Sequence, residues 1–245
     1  GPSPATGAAR EALGWLHTAR FLTSASRIEQ LPQGDLPEIA FVGRSNAGKS
    51  SAINTLAQQR QLAFASKTPG RTQLINLFAL GPKDAAQAYL ADLPGYGYAA
   101  VDRGKKLVWQ QVMADYLEVR RALAGVVLMV DSRHGFTPLD QRLLDFVAQR
   151  VRTGEVKLLV LLTKADKLTK TEARAAVDAA QQVLADYVTE ASDIGVTPFS
   201  SLRRTGIEDV AETLKAWIAA VPAPVDFELP PPAADADAPS QDETA

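Results

Sequence analysis

Eight residues, Gly43-Arg44-Ser45-Asn46-Ala47-Gly48-Lys49-Ser50, fit the spacing G-x-x-x-x-G-K-[ST] at the end of the apolar run "EIAFVG". That spacing builds a phosphate cradle. Glycines let the backbone curl so that successive N–H groups face anionic oxygens, and the following helix adds the positive end of its dipole. Lys49 would neutralise β- and γ-phosphates, and Ser50 would offer a hydroxyl to Mg²⁺. The plainer alternative is a glycine-rich turn from strand to helix with an exposed lysine.

A phosphate loop does not separate adenine from guanine, so the base must be read elsewhere. "LLTKAD" closes a later apolar run and resembles N-K-x-D, with Thr163 in the first place, then Lys164, Ala165 and Asp166. A carboxylate at Asp166 can accept from both the N1–H and the 2-amino group of guanine. Adenine offers neither donor, and the unpaired polar groups left behind would discriminate against it. Lys164 would lie along the base plane. In "PFSSLRRTG" the backbone N–H groups of Ser200 and Ser201 could meet the guanine carbonyl, although serine pairs also cap helices.

Two further segments fall between these in the order one nucleotide site needs. Asp92-Leu93-Pro94-Gly95 has the spacing for a carboxylate on a Mg²⁺-bound water and a glycine N–H at the γ-phosphate. Thr72, in a polar loop, could complete the Mg²⁺ shell only when that phosphate is present, which would make a switch. Lys49, Thr72 and Gly95 are the residues expected to carry the catalytic role; Ser50, Thr72 and Asp92 are the expected metal ligands. Tyr96 stands where many GTPases carry a water-orienting glutamine. It reads either as packing beneath the loop or as a group of its own, and packing is favoured.

The elements that must hold these loops follow from periodicity. Apolar β-type runs occur at 38–43, 75–80, 86–92, 125–131, 156–162 and 195–200, most of them separated by helix-period segments. Leu139, Leu143, Val147 and Val151 share one helix face; Ile207, Val210, Leu214, Trp217, Ile218 and Val221 share another. The alternation predicts a three-layer α/β/α fold with a mostly parallel six-stranded sheet. "GPKDAA" is too short for a crossover, so one strand at the edge is expected to be antiparallel.

Residues 35–221 are read as one domain. Residues 1–34 are read as an N-terminal extension, with a tag scar at Gly1-Pro2 and a helix over 8–20. Residues 222–245 hold six of the 28 acidic residues and no Lys or Arg, and their Pro/Ala bias predicts a disordered tail. Without that tail the balance is 26 basic against 22 acidic residues, compatible with a nucleic-acid-rich partner. There is no cysteine, which excludes disulfides, zinc ribbons and thiol catalysis. Apolar runs such as "AGVVLMV" fall far short of the ~20 residues of a membrane span, and the expected compartment is the cytoplasm. His17 and His134 lack a third ligand and read as surface or capping residues. "DRGKKLVWQQ" at 102–111 reads equally as an RNA-facing patch or as a solvated helix face with Trp109 tucked inward.

"GRSNAGKSS", "SKTPGRTQLINLF", "DLPGYGYA", "TKAD" and "FSS" together resemble one family, the bacterial EngB (YihA/YsxC) GTPases of the Era/EngA-like, translation-factor-related class. The resemblance spans residues 20–221. It implies the P-loop GTPase fold and a GTP/GDP-binding protein that assists assembly of the large ribosomal subunit. Its partners would be that subunit or its precursor, through rRNA and ribosomal proteins, with no membrane or DNA partner and a monomeric state. It implies binding roles for Gly43 to Ser50, for Gly70, Arg71, Thr72, Gln73 and Leu74, for Asp92 to Gly95, for Thr163 to Asp166, and for Phe199, Ser200 and Ser201. It also implies that an aromatic residue at Tyr96 is normal and that hydrolysis is slow without a partner. Asn46 gives the loop the form seen in relatives that use K⁺ as a fixed positive charge; the alternative is that Asn46 hydrogen-bonds the first switch.

Overall fold

The computed structural model describes residues 6–64, 74–97 and 103–221. The apolar runs become strands β1 (Arg20–Ala25), β2 (Glu38–Gly43), β3 (Ile75–Leu80), β4 (Ala88–Asp92), β5 (Leu123–Asp131), β6 (Lys157–Thr163) and β7 (Ile194–Pro198). They form one sheet in the order β1-β3-β4-β2-β5-β6-β7. The helices are α1 (Gly7–His17), α2 (Lys49–Ala57), α3 (Arg103–Val119), α4 (Pro138–Arg152), α5 (Lys170–Leu184) and α6 (Ile207–Ala219).

From β4 through β7 every pairing is parallel, while β3 runs against both β4 and β1. The short connection after Leu80 makes the expected hairpin, closed by the Gln87 N–H on the Leu80 carbonyl at 2.8 Å. The sheet therefore has seven strands among the described residues, and the predicted count of six is corrected by β1. That strand had no period-2 face to reveal it: Phe21 and Leu22 are both exposed, at 59% and 45%, as an edge strand paired on one side allows. The helix expected over 8–20 likewise stops at His17, because the chain from Arg20 pairs with β3. Helix α1 packs against α6, and Trp15 reaches across to donate its indole N–H to Gln87 at 2.9 Å.

Alternate residues along each central strand face opposite layers. Ile39, Phe41, Val127, Met129, Leu159 and Leu161 pack with α1, α2 and α6, through side chains such as Leu16, Ile53, Leu214 and Trp217. Ala40, Val42, Val126, Leu128, Val130, Leu158 and Val160 pack with α3, α4 and α5, through Tyr116, Leu144, Val147 and Leu184. Burial on both faces explains why β2 and β5 read as near-continuous apolar runs. It also places the ends of β2, β4, β5 and β6 together, where the loops of interest begin.

Gly125 lets Trp217 lie directly on the sheet, since a Cβ there would stand 2.3 Å from the indole Cε3. Gly125→Ala is expected to lower stability by about 1–3 kcal/mol, the usual size of an overpacking penalty. Chemical denaturation would read it as a lower midpoint at unchanged slope. On the other face, Glu38 is fully buried and takes three hydrogen bonds from the Arg120 guanidinium at 2.7–3.0 Å and one from the Tyr116 hydroxyl at 3.1 Å. This cluster ties the C-terminal end of α3 to the start of β2. Removing either charge alone would strand the other in the core.

Candidate nucleotide-binding site

The chain leaves β2 at Gly43 and turns into α2 through a left-handed residue, Gly48, with φ 85°. An L side chain rarely adopts that conformation, so the glycine is required by the turn. Two N–H groups are spent locally: Ser45 donates to the Tyr96 carbonyl at 2.9 Å and Ala47 to the Arg44 carbonyl at 3.0 Å. The helix start adds further donors, since Lys49, Ser50 and Ser51 occupy the first turn and an α-helix leaves such N–H groups without an internal acceptor. Of the successive N–H groups expected to point inward, those of Ser45 and Ala47 are thus engaged within the protein.

The loop lines a cavity of about 1230 Å³ whose walls also include Asp92, Leu93, Pro94, Gly95, Asp131 and Lys164. Lys49 donates to the Asp92 carboxylate, which is only 3% exposed. The predicted phosphate lysine and the predicted carboxylate at the end of β4 thus meet at one point. Ser50 lines the same cavity. A hydroxyl and a carboxylate are hard oxygen donors of the kind Mg²⁺ takes, so the residues present fit that ion. Gly95 lies directly over the loop, since a Cβ there would stand 3.2 Å from the Ser45 Cα.

The segment expected to read a base comes together from two loops. Lys164 adopts φ 57° and donates its ammonium to the Asn46 carbonyl at 2.8 Å, which lays its methylene stem beside the phosphate loop. Thr163 is buried, and its hydroxyl donates to the Ala47 carbonyl at 2.6 Å. It locks β6 to the phosphate loop rather than presenting itself to a base. The Ala165 N–H donates to the Phe199 carbonyl at 3.1 Å, and Phe199 is buried. Ser200 differs from expectation: its N–H is taken by the Thr205 carbonyl at 3.1 Å, and its hydroxyl donates to Asp166 at 2.7 Å. The serine orients the Asp166 carboxylate, and that hydrogen bond holds the carboxyl below its ordinary range.

Two residues not singled out from sequence belong to this site. Asp131 ends β5 as Asp92 ends β4, the position where open α/β sheets carry ligand-binding residues. Burial alone would raise its carboxyl, but hydrogen bonds from Arg133 and Lys164 outweigh that and hold it well below the carboxylate range. Its Lys164 contact is 3.3 Å, so it braces the lysine that braces the phosphate loop. Asp140 is the other; the Tyr96 hydroxyl donates to it. Tyr96 is 3% exposed, and burial, then the charge of Asp140, pushes its phenol well above its usual range. Trp109 tucks inward against the Tyr96 ring, centroids 5.5 Å apart, and donates to the Pro94 carbonyl at 3.3 Å. Lys106 is exposed on the same helix, as is Leu107 at 59%. Of the first switch only Leu74 lies in the described residues, where it lines the cavity; Gly70, Arg71, Thr72 and Gln73 lie outside them.

A family model described as 50S ribosome-binding GTPase matches residues 38–164, and one described as elongation factor Tu GTP binding domain matches 113–220. The chain is 57% identical over 209 residues to a protein of Polaromonas sp. strain JS666, covering 85% of this chain and 82% of that one. It is 58% identical over 206 residues to a protein of Albidiferax ferrireducens, covering 84% and 96%. Both carry the name Probable GTP-binding protein EngB. This chain belongs to the EngB family of GTP-binding proteins. A crystal structure of a probable GTP-binding protein engB superposes with a TM-score of 0.53 at 19% identity, covering 74% of this chain and 98% of that one, which speaks to the fold. So does a bacterial selenocysteine-specific elongation factor, at TM-score 0.53 and 18% identity over 77% of this chain and 30% of that one. The cavity lined by the phosphate loop is the candidate nucleotide site of this EngB chain. No helix among its described residues is long and apolar enough to cross a membrane.

Proposed function

We propose that this EngB chain hydrolyses GTP with Mg²⁺ and acts as a nucleotide-controlled assembly factor for the large ribosomal subunit, as a monomer in the cytoplasm. The observation that carries this reading is the convergence of Lys49, Ser50, Asp92 and Gly95 on one cavity, with Lys164 joining the phosphate loop to the base-reading loop. The name of the matching family model supports the ribosomal partner.

The α2 N-terminus and Lys49 hold the phosphates. Gly95 offers its N–H where a γ-phosphate ends, and Asp166, oriented by Ser200, accepts from the base. Ser50 and Asp92, with Thr72, would hold Mg²⁺, which supplies positive charge against the phosphate oxygens. The Tyr96 hydroxyl is committed to a buried carboxylate and is not available to orient water, so hydrolysis by the chain alone is slow. Docking on a pre-ribosomal particle supplies the missing geometry.

A second reading is favoured by the same Tyr96 geometry: the chain senses the GTP state by docking, and hydrolysis is incidental. Single-turnover GTP hydrolysis with and without large subunits separates the two. Acceleration of at least about tenfold by subunits supports the assembly switch; tight GTP-dependent co-sedimentation with an unchanged rate supports the sensor. Asn46 is read as a support for K⁺ near the phosphates. A K⁺ and a Na⁺ arm at matched ionic strength are part of the same experiment, and equal rates would remove that role.

A further inference from the structure

The two oxygens of Asp140 do different things. Oδ2 closes the capping box of α4, accepting from the Thr137 N–H at 2.8 Å and its hydroxyl at 3.0 Å. A helix cap needs no more than that. The other oxygen, Oδ1, takes the Tyr96 hydroxyl, and both side chains are buried, Asp140 to 1% exposure. Tyr96 immediately follows Gly95, and its carbonyl holds the Ser45 N–H of the phosphate loop. Arg44 and Tyr96 are paired as an isolated parallel bridge. A loop whose glycine touches the phosphate-loop backbone is therefore fastened, one residue later, to the first turn of a helix that binds no phosphate in the proposed mechanism.

We propose that Asp140 is a positioning residue for nucleotide discrimination: through the Tyr96 hydroxyl it holds Gly95 in register with the phosphate loop, so that the Gly95 N–H meets the γ-phosphate. This rests on the reading of the cavity as a GTP site. GDP has no γ-phosphate and takes its contacts from the α2 N-terminus, Lys49 and Asp166, to which the Tyr96–Asp140 bond makes no direct link. Losing the latch therefore penalises the triphosphate selectively. Trp109 supports the arrangement from α3 by donating to the Pro94 carbonyl, but it does not replace the Tyr96–Asp140 bond, which ties the residue next to Gly95 to the first turn of α4.

The test uses the full chain and two probes, GDP and a non-hydrolysable GTP analogue. Tyr96→Phe keeps the ring and removes only the donor; Asp140→Ala removes the acceptor and its half of the capping box together. Each is expected to lower the affinity for the GTP analogue relative to GDP about tenfold, the size of one charge-assisted hydrogen bond. The double variant should be no worse in that ratio than the stronger single one, because both changes break the same bond. An unchanged ratio in Tyr96→Phe overturns the proposal. So does equal weakening of both nucleotides, the signature of a merely structural role, or a double variant equal to the product of the singles. Failure of the unsubstituted chain to bind GDP would instead remove the reading of the cavity itself.

Discussion

Replacing Asp166 by Asn is expected to cut the preference for GDP over ADP by about 10³-fold, less than the ~10⁴–10⁵ that sites built to hydrogen-bond a substrate group can achieve. The carboxylate is acceptor-only, so it can take both guanine donors, whereas an amide presents one acceptor and one donor. One guanine N–H would then face another N–H. The same change favours a base with a carbonyl in place of the 2-amino group, so binding of xanthosine diphosphate should rise as GDP binding falls. Ser200 already donates to Asp166 at 2.7 Å, which leaves the residue oriented after the substitution. The side chain is at the surface of the loop and not in either core layer, so the melting temperature should barely move. Titrations with labelled GDP, ADP and XDP, beside a thermal melt, decide it. Intact guanine selectivity in a folded Asp166→Asn chain would show that another group reads the base.

Lys49→Ala is expected to weaken GDP and GTP binding by about 10²-fold or more, because a largely desolvated charge against phosphate oxygens is lost. Part of the loss has a second origin. Lys49 and Asp92 are ion-paired with side chains 12% and 4% exposed, so the substitution also leaves a buried carboxylate without its cation, a change that costs about 3–5 kcal/mol in comparable pairs. The two origins separate in Lys49→Ala/Asp92→Asn, which removes the orphaned charge. That double variant should regain thermal stability without regaining nucleotide affinity. Recovery of both together would mean that the lysine serves the fold and not the phosphates.

Much of this protein follows from local chemistry. The phosphate loop, the Asp92–Gly95 turn and the Thr163–Asp166 turn are contiguous strings whose meaning depends on backbone conformation and side-chain type within a few residues, and each follows an apolar strand. The central strands were legible because both faces are buried, and α4 and α6 because their apolar residues recur at helical spacing. What pairs across distance was not legible. Edge strand β1 carries no alternating pattern, since the neighbouring Phe21 and Leu22 are both exposed. Ser200 bonds to Asp166 from 34 residues away, and Thr163 serves the phosphate loop 116 residues earlier. The fate of Tyr96 was decided in the same way. Its type allowed either a packed ring or a reactive phenol, and only the fold, by setting the capping-box aspartate of α4 against its hydroxyl 44 residues on, made it a buried anchor: sequence periodicity specifies which face of an element turns inward, but a partner on another element is chosen by how those elements pack.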